Sequence, residues 1–170
     1  MTTPMTDREF AAWAAGFFDG EGCVSITIGG NRFGVSHYLQ VVVAQVDPRP
    51  LELLASRFGG SITPRNRASQ RPNEQPAQQW RLYGRSARPF LEAVAPYLIV
   101  KGEPVRIGLK FLALGTHPGR RGAGPSELVV REELRLALRL ANNQPTKGRK
   151  RKADGPGARM ESRLQALAIT

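Results

Sequence analysis

The sequence predicts an α+β domain in which a helix and two strands are followed by a second helix, two more strands and several further helices. Two observations lead to this prediction. Apolar residues recur at helical spacing in several segments, and two pairs of short segments between them alternate as hairpin strands do. The 170 residues can form a single domain with a substantial core. We expect that domain over residues 1–141, with a basic linker and a short helix over residues 142–170.

The first helix is predicted over residues 7–18, because Thr6 and Glu9 have the spacing of a capping box at its start. Glycines at positions 20 and 22 are expected to break the helix and to lead the chain into the sheet.

The first hairpin follows at once. Residues 23–28 and 38–46 alternate apolar side chains with mainly polar ones, and a turn at residues 29–31 separates them. One face of this hairpin is therefore expected to enter the core and the other to stay open. The polar side chains of the open face are Ser25, Thr27, Tyr38 and Gln40.

The second half of the chain repeats this plan. Asp47 and Pro48 mark the start of a helix that Gly59 and Gly60 end. The stretch 65–78 is polar and rich in arginine, which suits either a disordered loop or contacts with DNA. The remaining predicted elements are strands 61–64 and 79–83 and helices 86–98, 103–113, 127–141 and 159–169.

The charge balance favours an anionic polymer as partner. The chain has 25 Lys and Arg residues against 14 Asp and Glu, a formal net charge of +11. Much of the excess falls in residues 65–88 and 142–170. The Lys/Arg run in the second of these segments is also compatible with a solvated tail or a localisation signal.

Cysteine and histidine are too few for a disulfide framework and argue against a zinc module, since Cys23 is the only cysteine and the chain has two histidines. No apolar run approaches about 18 residues, and the N-terminus lacks a secretory pattern. We therefore expect a soluble protein of a reducing, intracellular compartment, namely a bacterial or phage cytoplasm or an organelle.

Residues 13–22 (WAAGFFDGEG) combine small side chains with two carboxylates. A second copy of the helix could approach a face of small residues closely and bring two Glu21 side chains together. Like charges so close need a cation or protons between them, which favours a divalent metal site. A capped core helix followed by a glycine-rich turn accounts for the same residues without a metal. The residues expected at the helix–helix contact, spaced i, i+3, i+4 and i+7, are Ala12, Ala15, Gly16 and Asp19.

Residues 14–22, Ala-Ala-Gly-Phe-Phe-Asp-Gly-Glu-Gly, resemble the nine-residue motif that names the LAGLIDADG homing endonucleases. Ala14 stands where that motif has its first Leu, and Glu21 where it has its second Asp. The predicted element order is also similar to that of the family over residues 6–114, which implies a curved, antiparallel four-stranded sheet backed by helices. Only one copy of the motif is found, and single-motif members are homodimers that read near-palindromic DNA.

The resemblance implies a site-specific, intron-encoded endonuclease that cleaves double-stranded DNA with Mg²⁺ or another divalent cation such as Mn²⁺. It implies metal ligands at the Glu21 carboxylate and the Gly20 carbonyl. The positions that match supporting catalytic residues are Lys101, Gln45 and Arg49. An intron RNA maturase and a DNA-binding transcription regulator on the same fold are the alternatives, and neither would need Glu21 or Lys101.

Candidate DNA contacts come from the open sheet face, the neighbouring loops and the basic tail. The candidates for base reading are Ser25, Thr27, Asn31, Arg32, Tyr38, Gln40, Arg65, Arg67, Arg81 and Tyr83. Those expected to contact phosphates are Lys147, Arg149, Lys150 and Lys152.

Overall fold

The computed structural model describes residues 5–31, 34–65, 76–115 and 124–142. Its elements are α1 (Asp7–Glu21), β1 (Gly22–Asn31), β2 (Gly34–Gln45), α2 (Arg49–Phe58), β3 (Ser61–Pro64), β4 (Gln78–Tyr83), α3 (Arg88–Val94), α4 (Gly102–Ala113) and α5 (Pro125–Asn142). The predicted α+β class and element order are confirmed, while the helix predicted at residues 159–169 lies outside the described residues. None of the described helices is long and apolar enough to span a bilayer.

Helix α1 is longer than predicted and ends at Glu21 instead of residue 18. The predicted capping box is present, because the Thr6 N–H donates to the Glu9 carboxylate at 2.8 Å and the Glu9 N–H donates to the Thr6 hydroxyl at 3.3 Å. The helix continues through Gly20 and ends where the Gly22 N–H donates to the Phe18 carbonyl. Of the two glycines predicted to break the helix, only Gly22 therefore ends it.

The helix predicted at residues 86–98 is divided. A 3₁₀ turn (Gly84–Ala87) precedes α3, and a second one (Ala95–Tyr97) follows it. Pro96 lies in the second turn and has no N–H with which to continue the α-helical ladder. Helix α2 begins one residue later than predicted, because Pro48 instead of Asp47 is its N-cap and Arg49 is its first residue. The Asp47 carboxylate still accepts a hydrogen bond from the Arg49 N–H at 3.0 Å.

The four strands form one antiparallel sheet in the order β1-β2-β4-β3. Gly22 at the start of β1 lies opposite Val43 near the end of β2, and Gln45 at the end of β2 lies opposite Gln78 at the start of β4. Helix α1 leads directly into β1 at this same end of the sheet, which is called the α1 end below.

The core lies between the helices and one face of the sheet. Trp80 of β4 is fully buried, its indole N–H donates to the Gly59 carbonyl at 2.7 Å, and its ring meets Phe90 edge-on at 5.0 Å. Phe18 of α1 packs on the same Phe90 at 5.2 Å. The opposite face of the sheet stays open, with Tyr38 exposed by 40% and Tyr83 by 43%. The other buried strand residues, as the alternation predicted, include Val24, Ile26, Leu39, Val41, Val43 and Leu82.

Helix α5 packs against α4 and against β1, the edge strand of the sheet. Its Leu138 is buried in the core, and its Arg131 is also buried, donating to the Gly115 carbonyl at 2.7 Å. At its last residue, the Asn142 side-chain amide donates to the Val24 carbonyl at 2.8 Å. The end of α5 is thereby attached to the edge of the sheet.

Candidate active site and nucleic-acid interface

The Glu21 carboxylate is exposed at the junction between α1 and β1. No loop separates these elements, because Gly22 is at once the cap of the helix and the first residue of the strand. A Cβ atom at position 22 would lie 1.9 Å from the Phe18 ring, so only glycine fits there. This tight junction fixes the last turn of α1, with Gly20 and Glu21, at the α1 end of the sheet.

The exposed face of α1 differs from the face that the sequence predicts. Ala12 and Gly16 are exposed, whereas Ala15 is fully buried in the chain's own core, so it offers no surface to a second copy. Gly20 is exposed in its place, one turn beyond Gly16. A Cβ at Gly16 or Gly20 would meet nothing within 4 Å, and the face is therefore open.

Asp19, the fourth residue assigned to that face, bonds within its own chain. Its carboxylate accepts hydrogen bonds from the backbone N–H groups of Ile99, Val100 and Lys101 at 2.7, 3.1 and 2.8 Å. Burial raises the pKa of Asp19, but these three donors and the charge of Lys101 outweigh burial and lower it. The geometry identifies Asp19 as an intrachain contact, which corrects its assignment to a helix–helix interface.

Lys101 lies at the end of α1. Its ammonium donates to the Asp19 backbone carbonyl and lies 5.9 Å from the centre of the Phe18 ring. A cation near the C-terminus of a helix is stabilised by the carbonyl groups that lack intrahelical partners. The positive charge of Lys101 therefore lies at the last turn of α1, which also contains Glu21.

Gln45 and Arg49 also lie at the α1 end of the sheet. Gln45 is the last residue of β2, and its side-chain carbonyl accepts from the Val46 N–H at 2.8 Å. Arg49, 83% exposed at its side chain, pairs with Asp47 and holds the pKa of that carboxyl at about 2. Contact between Arg49 and a phosphate would have to compete with this ion pair.

The donor set at Glu21 suits a hard cation. Carboxylate and carbonyl oxygens are the ligands that Mg²⁺ and Ca²⁺ prefer, and Glu21 and Gly20 supply one of each. Among the described residues, no group of three or more His, Cys, Asp or Glu side chains is close enough to hold a metal ion. The described residues of one copy therefore contribute fewer than three such side chains to the site.

The open sheet face carries the polar side chains that the alternation predicts. Ser25, Gln40 and Tyr83 lie side by side across three strands, and Thr27 lies opposite Tyr38. The Gln40 amide donates to the Tyr83 hydroxyl at 3.2 Å, and the Arg81 guanidinium donates to the same hydroxyl at 3.4 Å. These contacts orient the donors and acceptors of the face before any ligand binds.

Sequence reasoning missed Gln79, which accepts a hydrogen bond from Arg81 on the open face. Its position two residues before Arg81 on one strand was the signal that could have identified it. It also missed Arg135 and Arg139, which line a recess beside Ser25 at the end of α5. No local pattern links that helix to β1, and these two arginines therefore could not be identified from the sequence.

The remaining candidates are only partly described. Arg65 follows β3, and its N–H donates to the Ala77 carbonyl at 2.8 Å. Asn31 ends β1, but its side chain is outside the described residues. The candidates that lie wholly outside the described residues are Arg32, Arg67, Lys147, Arg149, Lys150 and Lys152.

The fold is similar to that of solved DNA-bound nucleases. The homing endonuclease I-CvuI, in complex with a DNA target in the presence of Mg, is 22% identical over 95% of this chain and 96% of that chain, with a TM-score of 0.65. An archaeal intron-encoded homing endonuclease complexed with DNA is 19% identical over 94% and 97%, with a TM-score of 0.62. The LAGLIDADG homing endonuclease I-SmaMI, bound to cleaved DNA, is 20% identical over 88% and 53%, with a TM-score of 0.53.

Comparison at the level of sequence adds no relative, since neither a protein-family model nor a curated protein matches the chain. The structural similarity establishes the fold alone.

Proposed function

We propose that this protein, which has the fold of the LAGLIDADG homing endonucleases, is a site-specific endonuclease that cleaves double-stranded DNA. The observation that carries the proposal is that one sheet has both an open face with polar side chains and an exposed carboxylate at its end. The open face of β1, β2 and β4 carries the polar side chains of Ser25, Thr27 and Gln40, together with Gln79, Arg81 and Tyr83, and its described residues include no carboxylate. The exposed Glu21 lies at the α1 end of that same sheet.

The open face is suited to a DNA groove. Strands can enter the major groove, where hydroxyl, amide and guanidinium groups distinguish the base pairs. Among the described residues of the open face, Arg81 is the candidate for the most specific base contact, because guanidinium groups bind guanine through two hydrogen bonds. The net charge of +11 favours association with the phosphate backbone.

A near-palindromic target follows from a symmetric dimer. Ala12, Gly16 and Gly20 form an open face of small residues on α1, against which the same face of a second copy could pack closely. Two copies related by a twofold axis would bring their Glu21 carboxylates together at the centre of the assembly. The two sheets would then read the two halves of the target.

The chemistry proposed is hydrolysis of a phosphodiester in each strand. Glu21 and the Gly20 carbonyl from both copies would hold Mg²⁺ or a similar cation, which supplies an activated water and stabilises the leaving oxygen. The Lys101 ammonium would offset charge that develops on the phosphate, and the Gln45 amide would orient water beside it. Arg49 is a fourth candidate, available once it leaves Asp47.

An RNA maturase or a DNA-binding regulator on the same fold remains the competing proposal. Both would use the basic surface, but neither requires an exposed carboxylate and a held ammonium at the end of one helix. The last turn of α1 has both, since it ends at the exposed Glu21 and its Asp19 carbonyl binds the Lys101 ammonium, and we therefore favour the nuclease. The expected location is a reducing, intracellular compartment, namely a bacterial or phage cytoplasm or an organelle.

Selection from a randomised DNA library tests the proposal directly. Purified protein and Mg²⁺ are incubated with the library, and the cleaved molecules are sequenced. We expect double-strand cuts in a long, near-palindromic consensus, with no cuts by the Glu21→Gln variant. Specific binding without cleavage by the wild-type protein would contradict the nuclease and support a regulator.

A further inference from the structure

The segment that joins α3 to α4 exposes two apolar side chains next to the proposed site. Ile99 is 91% exposed and Val100 is 61% exposed, so packing of these side chains does not fix the backbone here. The Asp19 carboxylate does so instead, because three consecutive N–H groups, of residues 99 to 101, donate to its two oxygens at 2.7 to 3.1 Å.

The Lys101 side chain also contacts Asp19. Its ammonium donates to the Asp19 backbone carbonyl, in the last turn of α1. That turn contains no basic residue of its own, so Lys101 supplies the positive charge that a helix C-terminus favours. The backbone of Lys101 is thus held by the Asp19 side chain, and the side chain of Lys101 is held by the Asp19 backbone.

We propose that Asp19 is a positioning residue that fixes the backbone at Lys101 and thereby holds the Lys101 ammonium at the last turn of α1, the turn that contains Glu21. Asp19 acts through Lys101 and contacts no substrate. The catalytic consequence rests on the proposed nuclease function, whereas the positioning itself does not. A lysine has a flexible four-carbon stem, so its ammonium stays in one place only if its backbone and its donors are both held.

Asp19→Asn is the informative substitution. It preserves the size of the side chain but replaces one acceptor oxygen with an NH₂ group that would face N–H donors. Because a displacement of about 1 Å in a catalytic group can cost about a hundredfold in rate, we expect single-turnover cleavage to fall about ten- to hundredfold. Asp19→Glu keeps the charge and both oxygens, and we expect it to restore part of the rate.

A double-variant experiment separates positioning from general destabilisation. Cleavage rates are measured for wild type, Asp19→Asn, Lys101→Met and the double variant. If Asp19 acts through Lys101, the double variant cleaves at the rate of Lys101→Met alone. If the two losses multiply, the proposal is overturned.

Glu103→Gln is the matched control. It makes the same carboxylate-to-amide change two residues after Lys101, on an exposed side chain that pairs with Arg106. We expect it to keep the wild-type cleavage rate.

A second measurement needs no cleavage. Reductive methylation of Lys101 in the full-length free protein is followed by mass spectrometry. We expect methylation severalfold faster in Asp19→Asn than in wild type or Glu103→Gln, with Asp19→Glu between them. Equal rates in all four proteins would overturn the positioning. If the wild-type protein cleaves no DNA, the nuclease proposal fails, and the methylation rates still decide the role of Asp19.

Discussion

Glu132 of α5 connects that helix to an interior strand of the sheet, because its carboxylate lies 2.9 Å from Nε2 of His37 on β2. Arg135 binds the same carboxylate at 2.6 Å. The Arg135 hydrogen bond, followed by the bond to His37, lowers the pKa of Glu132 from 4.5 to about 2, against the opposing effect of burial.

This relationship predicts a pH dependence of folding stability. A carboxyl group whose pKa is lower in the folded state stabilises the fold above its unfolded pKa, and that contribution is lost as the pH falls from about 4.5 to about 2. The free energy of unfolding of wild type should therefore exceed that of Glu132→Gln near neutral pH, and the difference should shrink over this range. Denaturant titrations at a series of pH values measure it.

Glu133→Gln, a change at the exposed neighbouring residue, is the control for the pH experiment. Its difference from wild type should vary less across the same range. A constant difference between wild type and Glu132→Gln from neutral pH down to about 2 would contradict the contribution of the Glu132 contacts.

The open face of α1 predicts the effect of a bulky residue at Gly16. A Cβ there meets nothing within 4 Å in one chain, so Gly16→Leu should leave the single chain folded but prevent close approach of two helices. We expect the variant to be a monomer by light scattering, with a far-UV spectrum like that of wild type. Ala113→Leu, an equally large change at an exposed position of α4, should remain a dimer. A monomeric wild type at concentrations that cut DNA would refute the dimer.

The proposed role of Glu21 predicts that its variants lose cleavage but keep DNA binding. Glu21→Gln removes the charge that would hold the cation, and cleavage in Mg²⁺ should fall by about a hundredfold or more. Glu21→Asp should keep part of the activity, and Lys101→Met should have a smaller effect than Glu21→Gln. Binding of the selected target, measured in Ca²⁺ or without metal, should be close to that of wild type for all three. Full cleavage by Glu21→Gln would exclude the proposed metal site.

Arg81 predicts a local change in base preference. Arg81→Ala should relax the consensus at one position in each half of the target and cost about 1 to 3 kcal/mol of binding free energy there. Sequencing of DNA selected by the variant measures the preference. Lys110→Ala, a change on the exposed side of α4, should leave the consensus unaltered. An unchanged consensus for Arg81→Ala would mean that the open face does not read this base.

The proposed phosphate contacts of the basic tail, residues 143–170, predict that its removal lowers DNA affinity without changing base preference. Truncation after Asn142 removes seven Lys and Arg residues and retains the contact of Asn142 with Val24. Binding to all DNA should weaken, and its dependence on salt concentration should become less steep, because fewer phosphates are neutralised. Filter binding at several salt concentrations measures both. A changed consensus with unchanged affinity would mean that the tail reads bases.

Local patterns in the sequence were sufficient for most of the fold. The Thr6–Glu9 box, the glycine pair after α2 and the alternation in β1 and β2 depend on residues that are close in sequence, and all of them are present. The end of α1 was predicted too early, because Gly20 is tolerated in a helix whose last turn is held by a distant residue, Lys101.

Long-range contacts could not be predicted in the same way. Ala15 and Gly16 are neighbours with similar side chains, yet one is buried and the other exposed, since the helix rotates about 100° per residue and the core lies on one side only. The bond between Asp19 and the segment before α4 joins residues about 80 positions apart. Spacing within a short motif carries no information about such a partner.

The two edges of the sheet limit how copies of this protein can associate. At one edge, β3 has only four residues and ends at Pro64, which has no N–H to offer. At the other, Asn142 occupies the Val24 carbonyl and α5 packs against β1. Strand addition, by which exposed edges join into longer sheets and aggregates, is therefore disfavoured on both sides. This protein, which keeps one broad sheet face free for a ligand, is thus protected against self-assembly through the two edges of that sheet.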